Sequence, residues 1–149
     1  MATTEATEAE YRAQFEEIRQ GTDRWPPLHD LMGIEMVRVT PTTILSMVLS
    51  DQVRGQVPGT VHGGILATFA DVASAIALWN SYDMNTEAPV TTDLHARYYR
   101  QPKAGPLTAD ASVIHKGRHL LGTECVVTDA EERVLARTTA TYMVVPFEG

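Results

Sequence analysis

Asp71 is the only charged residue between Ile65 and Leu78, a stretch in which Ile65, Leu66, Ala67, Phe69, Ala70, Val72, Ala73, Ala75, Ile76, Ala77 and Leu78 are apolar. A carboxylate among such neighbours is costly unless it is paired, hydrogen-bonded or put to use. At helical spacing it meets no base: three and four positions away stand Ala67, Thr68, Ser74 and Ala75. Two readings follow. Asp71 accepts hydrogen bonds from Thr68, Ser74 or a nearby loop, or it is a partly desolvated carboxylate that serves as nucleophile or general base.

The segment just before it is also unusual. Thr60-Val61-His62-Gly63-Gly64 places two glycines where the chain turns into a helix. Free backbone N–H groups and the positive end of the helix dipole make such an entrance a site for negative charge. Alone, the pair reads as a tight turn. Beside a buried acid it reads as an oxyanion hole, with donors aimed at the oxygen of an attacked carbonyl. Gly63 and Asp71 are eight residues apart, about 12 Å along a helix at ~1.5 Å per residue. Reacting atoms must come within about 3–3.5 Å, so one carbonyl cannot serve both groups of one chain. Two antiparallel copies of the helix about a twofold axis would bring Gly63 of one beside Asp71 of the other, which predicts a homodimer with composite sites.

The elements that must hold these residues are legible in outline. Thr7 and Glu10 form a capping box for an acidic amphipathic helix with Tyr11, Phe15 and Ile18 on one face, ending at Gly21. Leu28, Leu31 and Met32 suggest a further turn ending at Gly33. Ile34 to Thr40 and Thr43 to Leu49 read as a hairpin around Thr40-Pro41-Thr42. An unbroken helical pattern then runs from about His62 to Asn80. After Pro89 come four strands. In the first, Val90, Thr92, Leu94, Ala96 and Tyr98 alternate with Thr91, Asp93, His95, Arg97 and Tyr99; the later turns are Gly105-Pro106, Lys116-Gly117-Arg118 and Asp129-Ala130-Glu131-Glu132. A helix apolar on nearly every side must be buried all round, and an antiparallel sheet curled about it is the simplest cover. The expected class is α+β, with about six strands wrapped around one long helix.

Length, composition and charge bound the rest. The chain has 149 residues, 44% hydrophobic and 21% charged, as in a globular domain. A formal net charge of −7 argues against general affinity for nucleic acid or anionic membrane. No apolar run reaches the ~18 residues of a membrane span, and the N-terminus lacks a signal-peptide pattern. Cys125 is the only cysteine, so no intrachain disulfide forms, which suits a cytoplasmic location; a buried thiol is its expected role. Asp93-x-His95 and His115-x-x-x-His119 do not make a metal site, because Lys116-Gly117-Arg118 reads as a hairpin rather than a helix. No Gly-x-Ser-x-Gly segment is present, so an α/β-hydrolase mode is unsupported.

Gly59-Thr60-Val61-His62-Gly63-Gly64, followed after six residues by Asp71, resembles the signature of the hotdog-fold thioesterases, specifically the phenylacetyl-CoA-thioesterase-like group. The resemblance spans about residues 28–146 and implies a hotdog domain over 28–149 behind an N-terminal helical extension, 1–27. It implies an acyl-CoA thioesterase that needs no metal or organic cofactor, coenzyme A being part of the substrate. Asp71 would be the catalytic carboxylate, Gly63 the donor to the thioester carbonyl and His62 a residue orienting the turn or substrate. Thr91 would be the hydroxyl that helps place the attacking water. Where the family often has Asn six residues before the histidine, this chain has Gln56, longer by one methylene. Arg100, Lys116 and Arg118, with Gly64 at the helix entrance, are the candidates for the coenzyme A end. The expected assembly is a homodimer, with a dimer of dimers as the higher form. The alternatives are a hydratase or dehydratase of acyl thioesters on the same fold, or a non-catalytic acyl-CoA-binding module.

Overall fold

The computed structural model describes residues 7–21, 24–39 and 41–148; Thr40 of the expected first turn lies outside them. The capping box forms as the sequence requires. Thr7 N–H donates to Glu10 Oε2 (2.6 Å) and Glu10 N–H to Thr7 Oγ1 (3.3 Å), opening α1 (Glu8–Gly21). A short α2 (Pro27–Leu31) follows, and Gly33, at φ 64°, turns the chain into the sheet. Strands β1 (Glu35–Arg38) and β2 (Thr43–Met47) form the first hairpin. The long helix α3 (Gly63–Ala77) leads to β3 (Glu87–Tyr98), β4 (Leu107–Lys116), β5 (Leu120–Thr128) and β6 (Val134–Pro146). The six strands make one antiparallel sheet in the order β1-β2-β4-β5-β6-β3. Among the described residues no helix is long and apolar enough to cross a membrane.

The core is the layer between α3 and the concave side of the sheet. Leu66, Phe69, Ala70, Ala73 and Ile76 pack with Leu45, Met47, Leu107, Ala109 and Val127. Tyr11 and Phe15 of α1 belong to the same core, with Phe15 edge-on to Trp25 at 5.0 Å. Cys125 is buried there too, and burial pushes its thiol up to about 12, leaving it unreactive.

Three expectations need correction. The helix stops at Ala77, not Asn80: the Leu78 N–H bonds back to Ala75, and a 3₁₀ turn over Trp79–Ser81 swings Trp79 against Tyr11 and Phe15. Nor is α3 buried all round. Gly63, Ala67, Asp71 and Ala75, four apart and therefore on one stripe, stay half-buried because the sheet covers only the other faces. Finally, strict alternation along β3 fails. Thr91 pairs with Tyr142 and Asp93 with Thr141, so Thr92 is an extra residue in a bulge. The bulge moves Thr91 onto the helix-facing side that Leu94, Ala96 and Tyr98 share, where an unbroken period of two would have put it outside.

The sheet's two edges differ. Along β1 the free backbone is met by α1, with Arg12 donating to Val37 O (2.8 Å) and Val39 N–H donating to the Glu8 carboxylate (3.1 Å). Among the described residues no strand pairs with the outer edge of β3. The turn that sets β6 beside β5 is held by Asp129, whose carboxylate accepts from the N–H groups of Lys103, Glu131 and Arg133 and from the Arg133 guanidinium. Burial pulls this carboxyl upward, but those donors outweigh it and hold it at about 2, below the ordinary 3.8. A depressed folded-state value gives stability that is complete above pH 3.8 and vanishes as the pH falls through about 2. Urea unfolding between pH 2 and 5 should therefore show a falling stability that Asp129→Asn makes flatter; equal slopes for the two proteins would refute this role.

Candidate active site

The helix entrance is fixed from below and from the side. His62 N–H donates to Val53 O (3.0 Å), and Val61 N–H donates to the Gln101 side chain (2.8 Å). His62 is the N-cap of α3, with extended backbone (φ −61°, ψ 129°), and its Nδ1 accepts from Gly64 N–H at 3.0 Å. The Gly64 donor is thus already engaged. The Gly63 N–H is not: among the described residues no acceptor meets it, and it opens the first turn, where the helix dipole is most positive. Tyr98 closes the other side, its hydroxyl donating to Gly63 O at 2.8 Å with the ring against the glycine.

Asp71 accepts twice through a single oxygen. Oδ1 takes a hydrogen bond from Tyr142 Oη (2.7 Å) and another from Thr91 Oγ1 (2.9 Å). Among the described residues nothing donates to Oδ2. The anticipated intrahelical donors do not serve it, since Thr68 Oγ1 turns back to Gly64 O (2.9 Å). Tyr142 is 1% exposed. Burial first, and then the neighbouring Asp71 charge, drive its phenol far above the ordinary tyrosine range, so the proton stays on the phenol.

Asp71 lies in the wall of a cavity of about 450 Å³. One side comes from the helix and sheet (Val72, Ile76, Thr91, Tyr142), the other from Ile18, Trp25 and His29 of the N-terminal segment and from Phe147. Arg24 reaches the same cavity with its guanidinium 5.0 Å over the Phe147 ring and bonded to Met84 O (2.8 Å). Burial holds the His29 imidazole below its ordinary value, although Asp30 and Asp71 pull the other way.

One chain therefore brings Asp71 and Thr91 together, and His62, Gly63 and Gly64 together, but not the two groups. Continuous helix separates them by about 12 Å at ~1.5 Å per residue. Gln56 is exposed in the loop before the helix and lines no part of the Asp71 cavity. The basic candidates also separate. Arg100 follows β3 beside Val134 and Arg137, whereas Lys116 and Arg118 sit at the β4–β5 hairpin, at the opposite end of the sheet, where Arg118 shares a pocket with Tyr82 and Glu87. Tyr142 and the N-terminal cavity wall escaped the sequence reading. A tyrosine on the buried face of a strand needs a partner for its hydroxyl, and that need was the available signal.

The sequence model of the thioesterase superfamily matches residues 58–136, more than half of the chain and the span that contains His62, Gly63, Asp71 and Thr91. The chain belongs to that family. Among curated proteins it is 28% identical to a 1,4-dihydroxy-2-naphthoyl-CoA hydrolase of Listeria monocytogenes, over 78% of this chain and 94% of the relative. It is 27% identical to a Bacillus subtilis protein named as an esterase, over 79% and 94%. Among solved structures, a Pseudomonas aeruginosa thioesterase, crystallised as a glutamine-to-alanine variant, superposes with a TM-score of 0.80 at 20% identity over 98% of each chain. A Bacillus halodurans protein solved with CoA gives 0.73 at 24% identity, over 92% of this chain and 85% of that one. These structures share the hotdog fold found here.

The cap on α3 makes a measurable contribution. His62→Ala removes the Gly64 acceptor and should lower unfolding stability by about 1 kcal/mol, whereas His62→Asn, which can cap, should retain most of it. Urea denaturation of both variants tests this, and an alanine variant as stable as the parent would refute the cap.

Proposed function

We propose that the protein is an acyl-CoA thioesterase that works as a homodimer with two composite sites. The observation that carries this reading is Asp71, a carboxylate in a cavity wall, braced through Oδ1 by Tyr142 and Thr91 with Oδ2 unengaged. The Gly63 N–H of the facing subunit polarises the thioester carbonyl, while the cavity beside Asp71 takes the acyl group. Oδ2 attacks the carbonyl carbon to give a mixed anhydride that water then opens, or it removes the proton from a water that attacks directly. Either way the C–S bond breaks, coenzyme A leaves as a thiolate and takes up a proton, and a free acid remains. His62 shapes the entrance through its cap to Gly64, and Thr91 braces Asp71.

The dimer is supported by the unpaired edge of β3 and by the half-buried stripe of α3. Antiparallel pairing of β3 with its copy lays the Tyr98–Gly63 end of one chain beside the Thr91–Asp71 end of the other. The same pairing moves Arg100 of one subunit toward Arg118 of its partner, giving cations for the coenzyme A phosphates. Gln56 enters as an amide near the carbonyl. Its support is an interval: the two alanine substitutions that distinguish solved variants of a Staphylococcus aureus thioesterase, at a glutamine and a glutamate, lie fifteen residues apart, as do Gln56 and Asp71.

A panel of acyl-CoAs with a thiol reagent tests the activity. Asp71→Asn should reduce thiol release at least about a hundredfold, and binding without turnover in the parent protein would favour the non-catalytic module instead. Single-turnover hydrolysis in heavy-oxygen water separates the two routes, since the label enters Asp71 only if Oδ2 attacks. Composite sites are tested by mixing. Gly63→Pro removes the N–H at a helix position that tolerates proline, so each variant alone should be inactive. Subunits of Asp71→Asn and Gly63→Pro refolded together should recover about a quarter of parental activity, one intact site in each mixed dimer; no recovery would refute shared sites.

A further inference from the structure

Of the described residues that line the cavity, only one combines near-complete burial, a hydroxyl and a direct bond to the carboxylate. Tyr142 projects from β6 toward α3. It lies opposite Leu121 and diagonally across from Thr123, which pairs with Ala140. Its hydroxyl is 2.7 Å from Asp71 Oδ1 and 3.2 Å from the Asp71 carbonyl oxygen, so the side chain spans both ends of the same residue. The buried hydroxyls of Ser74, one turn along the helix, and of Thr123 lie beside the phenol. The ring packs in one buried cluster with Leu78, Leu121 and Ala140.

A carboxylate on a helix rotates about χ1 and χ2 unless something fixes it, and a cavity open to water gives it many partners. Thr91 alone would be a weak constraint, because its hydroxyl belongs to an exposed bulge on an edge strand. Tyr142 is almost fully buried, on a strand paired along both edges. From this arrangement we propose that Tyr142 is the positioning residue of the reaction: it pins Asp71 by Oδ1 and thereby dedicates Oδ2 to the substrate. This rests on the thioesterase reading above and goes beyond it. Tyr142 acts through Asp71, and it keeps its proton throughout.

The role has two consequences that a merely packed tyrosine would not. The bond fixes the direction in which Oδ2 points, so its loss misaligns the attacking oxygen without removing any part of the cavity wall. Orientation is felt in kcat rather than in KM. Tyr142→Phe keeps the ring and removes the bond. It should lower kcat on the order of ten- to a hundredfold, the loss expected for one hydrogen bond to a charged group, with KM changed less than about threefold. Should the phenylalanine variant fail to fold, mono- and difluorotyrosine placed at position 142 by nonsense suppression keep the shape and strengthen the donor. They should change kcat in step with donor strength while KM stays within about threefold. An active parent enzyme whose kcat is unmoved by both the phenylalanine and the fluorotyrosine substitutions would overturn the positioning role while leaving the thioesterase reading intact. A parent enzyme that releases no thiol from any acyl-CoA would overturn both.

Discussion

A carboxylate set into an apolar helix is the constraint around which this molecule is arranged. Asp71 lies where the sheet cannot offer it water on the core side, so its charge must be met by hydroxyls brought from elsewhere. Tyr142 comes from the sixth strand and Thr91 from the third, and these two strands are neighbours. The β3–β6 pairing therefore does more than complete a sheet. It delivers both donors to one oxygen, and the bulge at Thr92 supplies the half-turn of the backbone that faces Thr91 inward.

The helix entrance follows from a second local requirement. Two glycines leave the first turn without side chains, and His62 spends its acceptor on one of the two N–H groups. The other donor stays available at the positive end of α3. Tyr98 ties the glycine carbonyl to the far end of β3. The entrance and the middle of one helix thus carry complementary chemistry, and both are anchored to a single edge strand.

What could be read from the sequence was whatever was local. Asp71 stood out as a charge in an apolar run, Gly63 and His62 as a helix entry, and the six strands and the long helix as changes of period. Tyr142 was invisible because its partner is 71 residues away, and in sequence it is one alternating strand residue among several. Thr91 was placed by family likeness, yet simple alternation assigned it to the wrong face, since a bulge leaves no signature in a period of two. The N-terminal apolar residues read as packing. They do pack, but Ile18, Trp25 and His29 also wall the cavity, from outside the span that matches the family. Arg100 and Arg118 are near in sequence and far apart in space, because β4 carries the chain the length of the sheet between them.

Strand β3 is tied to α3 twice, through Thr91 at one end and Tyr98 at the other. A stiff strand fastened at two points transmits a displacement instead of absorbing it. The brace for the acid and the clasp at the glycine carbonyl thus sit on one length of backbone. A displacement at the helix entrance therefore reaches the acid through β3 as well as through α3, and the two do not shift independently within the chain.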